Sequence, residues 1–162
     1  MRLGRVNEAA RIMEQLYKRA PGTPDVNIGL AAIESHRGQS KRAVGLLTQA
    51  LTLPTSRIRA QARSRAFVLR ARIALAGQEK DAAIGDLQSA VRAWPENAEA
   101  LALLSDEAIQ SGRFDDAINQ LRTLERAGAK SAQTSIKIAQ CYVHMNRYDR
   151  ALEILNEART RS

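Results

Sequence analysis

Five small residues, Ala9, Ala43, Ala83, Ala117 and Ala151, recur along the chain at spacings of 34, 40, 34 and 34. Two further columns keep the same phase: Met13, Leu47, Leu87, Leu121 and Leu155, then Leu16, Ala50, Ala90, Leu124 and Ala158. Five residues ahead of the small column sit Gly4, Gly38, Gly112 and Asn146, with Gly77 one residue out of step. Glycine or asparagine is what a chain needs where a helix ends in the left-handed conformation. A period of this length is that of two-helix units, each of which buries its apolar face only by stacking on the next. The composition agrees. Hydrophobic residues make up 44% of the chain and aromatics only 4%. An alanine-rich, aromatic-poor chain packs helices through small side chains and makes a poor sheet.

Two segments carry a family resemblance. Gly112-Arg113-Phe114-Asp115-Asp116-Ala117-Ile118 and Asn146-Arg147-Tyr148-Asp149-Arg150-Ala151-Leu152 resemble the G-x-Y-x-x-A-I/L turn of tetratricopeptide repeats. Pro21, Pro54 and Pro95 fall near the repeat ends, as in that family. In the first helices, Leu101, Leu104 and Ala108, then Ser135, Ile138 and Tyr142, take the places of the family's apolar residues, and Asn27, Leu30, Ala31 and Glu34 take them earlier in the chain. The resemblance spans 4–159 and is most specific over 95–159. It implies an all-α, right-handed superhelical solenoid of helical hairpins. The expected layout is a single array over 1–162. A half repeat, 1–21, holds one helix over 7–19, and repeats follow at 24–54, 56–95, 98–131 and 132–160.

One repeat is longer than its neighbours by six residues, which is ~9 Å of helix at 1.5 Å per residue. The excess is assigned to the first helix of that repeat, placed at 57–76 after the stop-and-cap signal Pro54-Thr55-Ser56. Ile58, Ala62, Ala66, Leu69, Ile73 and Ala76 recur there as a buried stripe should. The register has two solutions: Arg70 falls either on an apolar column or, one residue on, at the small-residue position.

No chemistry-bearing pattern stands out, and the expected entries for catalytic residues, metal ligands and cofactors are none. His36 and His144, the two histidines, lie three repeats apart. At ~8–10 Å per packed helix they are too distant to share a metal or a proton. Cys141 sits among Ile138, Ala139, Tyr142 and Val143 with no nearby base, as a buried structural thiol does. Phosphate-binding glycine loops, H-E-x-x-H and paired C-x-x-C are missing. Asp115 and Asp116 open a helix, where carboxylates stabilise its positive end.

The resemblance implies a binding function instead, with first helices lining a groove that receives a peptide or partner helix. Carried over in phase, the groove positions are Ile28, Ala32, Arg65, Val68, Arg72, Leu75, Glu99, Asp106, Ile109, Gln133, Ile136 and Gln140, with Asp25, Ser35, Ala102 and Val143 completing the four sets. The family's K-x-x-x-N carboxylate clamp is absent. Arg65 and Arg72 are open to two readings, ion pairs with Glu99 and Asp106 or contacts to a ligand.

Charge adds a second surface. The formal net charge is +8, yet the segment 35–78 contains no Asp or Glu and nine Lys and Arg, so the remainder of the chain is near neutral. On a helical wheel Arg59, Arg63 and Arg70 flank one side of the apolar stripe, Arg65 and Arg72 the other, with Arg57 beside the latter. Arginine suits carboxylate and phosphate partners. An acidic protein partner is expected, and nucleic acid is disfavoured because no aromatic platform accompanies the arginines. Two alternatives remain. One is a self-associating module, using Leu3, Val6, Ile12, Met13 and Leu16 of the unpartnered N-terminal helix. The other is a domain of a bacterial envelope or polysaccharide-export system that meets an anionic polymer or a partner enzyme; a GC-rich bacterial source would suit the abundant alanine and arginine. No run approaches the ~18–20 apolar residues of a membrane span and no signal-peptide pattern opens the chain. A soluble chain is expected, with cytoplasm and periplasm both open.

Overall fold

The computed structural model describes residues 2–160, with side chains from Val6 onward. Among these the fold is all-α, with no strand: α1 (Arg2–Arg19), α2 (Pro24–His36), α3 (Ser40–Leu51), α4 (Ala60–Ala76), α5 (Lys80–Ala93), α6 (Ala98–Gln110), α7 (Phe114–Leu124), α8 (Ala132–His144) and α9 (Tyr148–Arg159). They form two compact units, Met1–Trp94 with α1 to α5 and Pro95–Ser162 with α6 to α9.

Each hairpin turn is built the same way. The first helix ends in a left-handed residue: Gly38 (φ 77°), Gln78 (φ 63°), Gly112 (φ 70°) or Asn146 (φ 57°). The next amide reaches back five residues, from Gln39 to the Glu34 carbonyl (2.8 Å), Glu79 to Ala74 (2.9 Å), Arg113 to Ala108 (2.8 Å) and Arg147 to Tyr142 (2.8 Å). This bond satisfies a carbonyl that the helix end would otherwise orphan. The out-of-step Gly77 is thereby explained: it keeps a negative φ of −85°, and Gln78, in phase with the other turns, takes the strained conformation. Gly4 does not end a helix. It lies inside α1, which starts at Arg2 and not at residue 7; a helical glycine costs only ~1 kcal/mol, so it marks a turn only where the chain must reverse.

The first-helix ends, His36, Ala76, Gln110 and His144, repeat at 40, 34 and 34. This settles the register of α4. Ala71 joins the small column Ala31, Ser105 and Ala139, all essentially buried, and Arg70 occupies the apolar column of Leu30, Leu104 and Ile138. The six extra residues lie upstream of that phase. A 3-10 turn at Thr55–Arg57 and the extended Ile58 precede α4, which has 17 residues against 13 in α2, α6 and α8. The helix therefore begins at Ala60, not 57, and Arg57 and Arg59 stand ahead of it. The buried residues of α4 are Ser64, Ala66, Val68 and Ala71, and Ile58 is buried just before it.

Small residues let the helices approach. Ala43, Ala83 and Ala117 are fully buried and Ala151 is 3% exposed. In Met1–Trp94 the core gathers Leu30, Leu46, Leu47 and Leu51, with Met13 and Tyr17 of α1 packed on it. A Cβ on Gly29 would come within 2.5 Å of the Met13 methyl, so glycine admits α1 onto α2 there. In Pro95–Ser162 the corresponding core is Leu101, Leu104, Ile118, Leu121 and Ile138. Side-chain caps start two of its helices: Asn97 accepts from the Ala100 amide (3.0 Å) and Ser131 from that of Thr134 (3.2 Å).

Candidate partner-binding surfaces

The expected groove residues fare differently in the two units. On α2 and α4, Ile28, Ala32 and Leu75 are half-buried, and Arg65 and Arg72 are exposed. Val68, in phase with Ile28 and Ile136, is 3% exposed and contributes no surface. Arg65 makes no ion pair or hydrogen bond among the described residues. On α6 and α8, Glu99, Gln133 and Gln140 are exposed and Asp106 and Ile109 half-buried. The Lys137 ammonium pairs with the Asp106 carboxylate, a partner that no column pattern marks. Ile136 and Val143 stand 42% and 46% exposed beside Leu155 around a shallow pocket of about 190 Å³.

The arginine cluster is not one solvated face. Arg70 grips Asp86 of α5 with two bonds, Nε to Oδ2 and Nη2 to Oδ1, both 2.7 Å, and its Nη1 reaches the Thr48 hydroxyl at 3.3 Å. Hydrogen bonding to Asp86 pushes the Arg70 pKa above its ordinary value. Arg63 donates to the carbonyls of Leu51 (3.2 Å) and Leu53 (3.1 Å), closing the C-terminal end of α3. Both guanidinium groups lie against the Phe67 ring, 5.8 Å and 5.7 Å from its centroid. Arg59 pairs with Asp25 at 3.3 Å in the open, where such a bond is worth little. Of the expected basic patch, Arg63 and Arg70 are thus structural, and only Arg57 is exposed without a partner among the described residues.

The profile of the tetratricopeptide repeat matches residues 74–135 and 108–161, and a second tetratricopeptide repeat profile matches 36–98. The chain belongs to the tetratricopeptide repeat family. Its repeats are those of a protein–protein interaction scaffold. No curated protein sequence matches it. Among solved structures it is similar to MamA (TM-score 0.76, 21% identity, 96% of this chain and 87% of that one) and to MamA 41-end from Desulfovibrio magneticus RS-1 (0.72, 17%, 98% and 86%). It is also similar to YrrB, described as a TPR protein with an unusual peptide-binding site (0.68, 16%, 96% and 77%). At these identities the likeness is one of fold.

Away from the expected groove positions, two clefts stand out among the described residues of Met1–Trp94 in this tetratricopeptide array. One, about 920 Å³, opens between α3 and α5 over the C-terminal half of α4, with the Arg70–Asp86 pair in its wall. The other, about 470 Å³, lies between the 3-10 turn, the start of α4 and the end of α5. Neither surface was marked by the groove positions; the six-residue excess is the one sequence signal that points at the second. Cys141 is buried, and burial pushes its thiol pKa up, so it is a poor nucleophile. The His144 ring stacks on Phe114 at 4.9 Å. Among the described residues no group of three or more His, Cys, Asp and Glu side chains could hold a metal ion, and no helix is long and apolar enough to cross a membrane.

Proposed function

We propose that this tetratricopeptide protein performs no chemistry and binds an extended, acidic segment of a partner protein along the first-helix face of Met1–Trp94. The observation that carries this is Arg65, exposed and unpaired, on a face whose neighbours Ile28, Ala32 and Leu75 offer partly exposed apolar surface. Apolar contact supplies energy and the guanidinium sets sign and register. At ~0.15 M salt the screening length is ~8 Å, so the attraction acts close in and strengthens as salt falls. Changing Arg65 and Arg72 together to glutamine is expected to weaken binding of the natural partner about tenfold, mostly through association rate, and to flatten its salt dependence. Unchanged affinity at low salt would remove the acidic partner from the reading.

A second reading, self-association, is favoured by bare apolar surface on terminal helices. Ile12 and Leu16 of α1 are 48% and 42% exposed, and Leu152 and Leu155 of α9 are 59% and 41% exposed, whereas Leu47, Leu87 and Leu121 in the Leu155 column are buried. Met13 and Val6 are partly covered, and the Leu3 side chain lies outside the described residues. Sedimentation over a concentration series tests this: a mass independent of concentration and equal to one chain discards it.

A further inference from the structure

The lengthened repeat builds one wall of the 470 Å³ cleft. Thr55, Ile58, Ala60 and Arg63 all lie in the stretch upstream of the 34-residue phase, and Ser89, Arg92 and Ala93 close the cleft from α5, with Phe67 beside them. Its volume is in the range of ligand pockets, ~300–1,000 Å³. No carboxylate lines it, although two guanidinium groups do. A guanidinium carries five N–H donors. Arg63 uses Nη donors on the Leu51 and Leu53 carbonyls, and Arg92 uses one on the Ser89 hydroxyl at 2.7 Å. Ser89 itself donates to the Gly85 carbonyl at 2.8 Å, which fixes the hydroxyl that holds Arg92. Neither arginine meets an acid among the described residues, and the Thr55 hydroxyl has no partner there. The floor of Ile58 and Phe67 is apolar.

Helix-end chemistry accounts for part of this. Arg63 satisfies the last carbonyl of α3 and that of Leu53 just beyond it, and Arg92 stands in the last turn of α5, where a cation is favourable. It does not account for two cations and a spare hydroxyl converging on one cleft with an apolar floor and no counter-charge. Such a concavity concentrates anions, and planar guanidinium forks favour oxyanions. In repeat arrays, insertions gather on one face, often the binding face.

We propose that this cleft is an oxyanion site that receives a carboxylate side chain from the protein partner, with an adjacent apolar residue of the partner seated on Ile58 and Phe67. The proposal rests on the reading of an acidic protein partner, and it locates an anchor away from the first-helix face. Arg92 and the free donors of Arg63 bind the carboxylate, Thr55 adds a hydroxyl, and Ser89 positions Arg92.

The test is an NMR titration of the labelled full chain with acetyl-Leu-Glu-Leu-amide, its Gln counterpart and inorganic phosphate. The expected result is saturable shifts at the amides of Thr55, Ala60 and Ser89–Ala93, with the Gln peptide binding at least about tenfold more weakly, the size of a lost charge-assisted bond. Arg92→Gln, which leaves the Arg63 carbonyl bonds intact, and Ala60→Leu, which fills the cleft, should each abolish these shifts while the rest of the spectrum is unchanged. Arg65→Gln with Arg72→Gln should leave them in place. The proposal is overturned by equal binding of the Glu and Gln peptides, by indifference to Arg92→Gln, or by phosphate saturating the site while the Glu peptide does not. Peptide shifts confined to α2 and α4, lost in the Arg65/Arg72 variant, would overturn the cleft and leave the broader reading standing.

Discussion

The two units obey one repeat rule and fill it with different chemistry. Pro95–Ser162 carries 9 Lys and Arg against 10 Asp and Glu, and its hairpins keep the 34-residue period. Met1–Trp94 carries 16 against 7 and contains the 40-residue repeat. The contrast reaches the interior. Where α6 and α8 place Leu101, Leu104 and Ala108 or Ser135, Ile138 and Tyr142, the first unit places Asn27, Arg70 and Glu34. The buried Glu34 meets Arg37 at 3.1 Å and Arg42 at 3.6 Å, and Arg42 also binds Glu14 of α1 at 3.0 Å. Buried polar groups weaken a core unless each is partnered. The first unit has accepted that liability and keeps most of its groups satisfied. The second unit also buries polar side chains, among them Asn97, Ser105 and Glu107; the first differs in placing Arg70 and Glu34 in columns that hold apolar residues in the second.

The largest expected effect follows from the Arg70–Asp86 pair. Removing one partner leaves a largely buried charge, so Asp86→Ala should destabilise Met1–Trp94 by about 2–4 kcal/mol, at the lower end because the Arg70 side chain is 26% exposed. Converting both to leucine restores the apolar column and should return stability to within about 1 kcal/mol of the parent or above it. Denaturant unfolding followed by the fluorescence of Trp94 reads both variants. A double variant as damaged as the single one would show that the pair shapes the unit in some way beyond charge. Next is Asn27, 1% exposed, whose Oδ1 has no hydrogen-bond partner among the described residues. Asn27→Leu, which matches Leu101 of the other unit, should stabilise by about 1–2 kcal/mol; a loss of stability would mean that the amide has a role the contacts do not reveal. The smallest concerns Gln78, which takes a left-handed φ where the other turns use Gly38, Gly112 or Asn146. Gln78→Gly should stabilise by about 0.5–1 kcal/mol, and the same measurement decides it.

What the chain's pattern revealed, and what it hid, divides along the same line. The alanine and leucine columns and the turn residues are local, periodic signals, and they locate the hairpins and the all-α fold. Side-chain pairing is tertiary. Nothing in the spacing says that Arg70 turns toward Asp86 sixteen residues on, or that Arg63 reaches back to close α3. A run of arginines therefore reads as a basic patch when two of its members, Arg63 and Arg70, are half-buried and tied to the fold. Val68 was hidden for a related reason, since carrying groove positions in phase presumes that the lengthened repeat presents the same surface as its neighbours. Arg92 gave no signal at all, being one cation in an ordinary last turn. The six-residue excess was visible but could not be placed until the helix ends fixed the phase.

That shared phase has an engineering consequence. Because α2, α4, α6 and α8 end in step, whatever happens upstream of the phase leaves the turn into the second helix untouched. The arginine-lined wall is in effect a cassette: the exposed positions 55–57 and 59 can be exchanged or lengthened, with the buried Ile58 and the Arg63 bonds kept, while the downstream α4–α5 turn keeps its geometry. New recognition loops could be written into this array at that one seam without redesigning the helices that carry them.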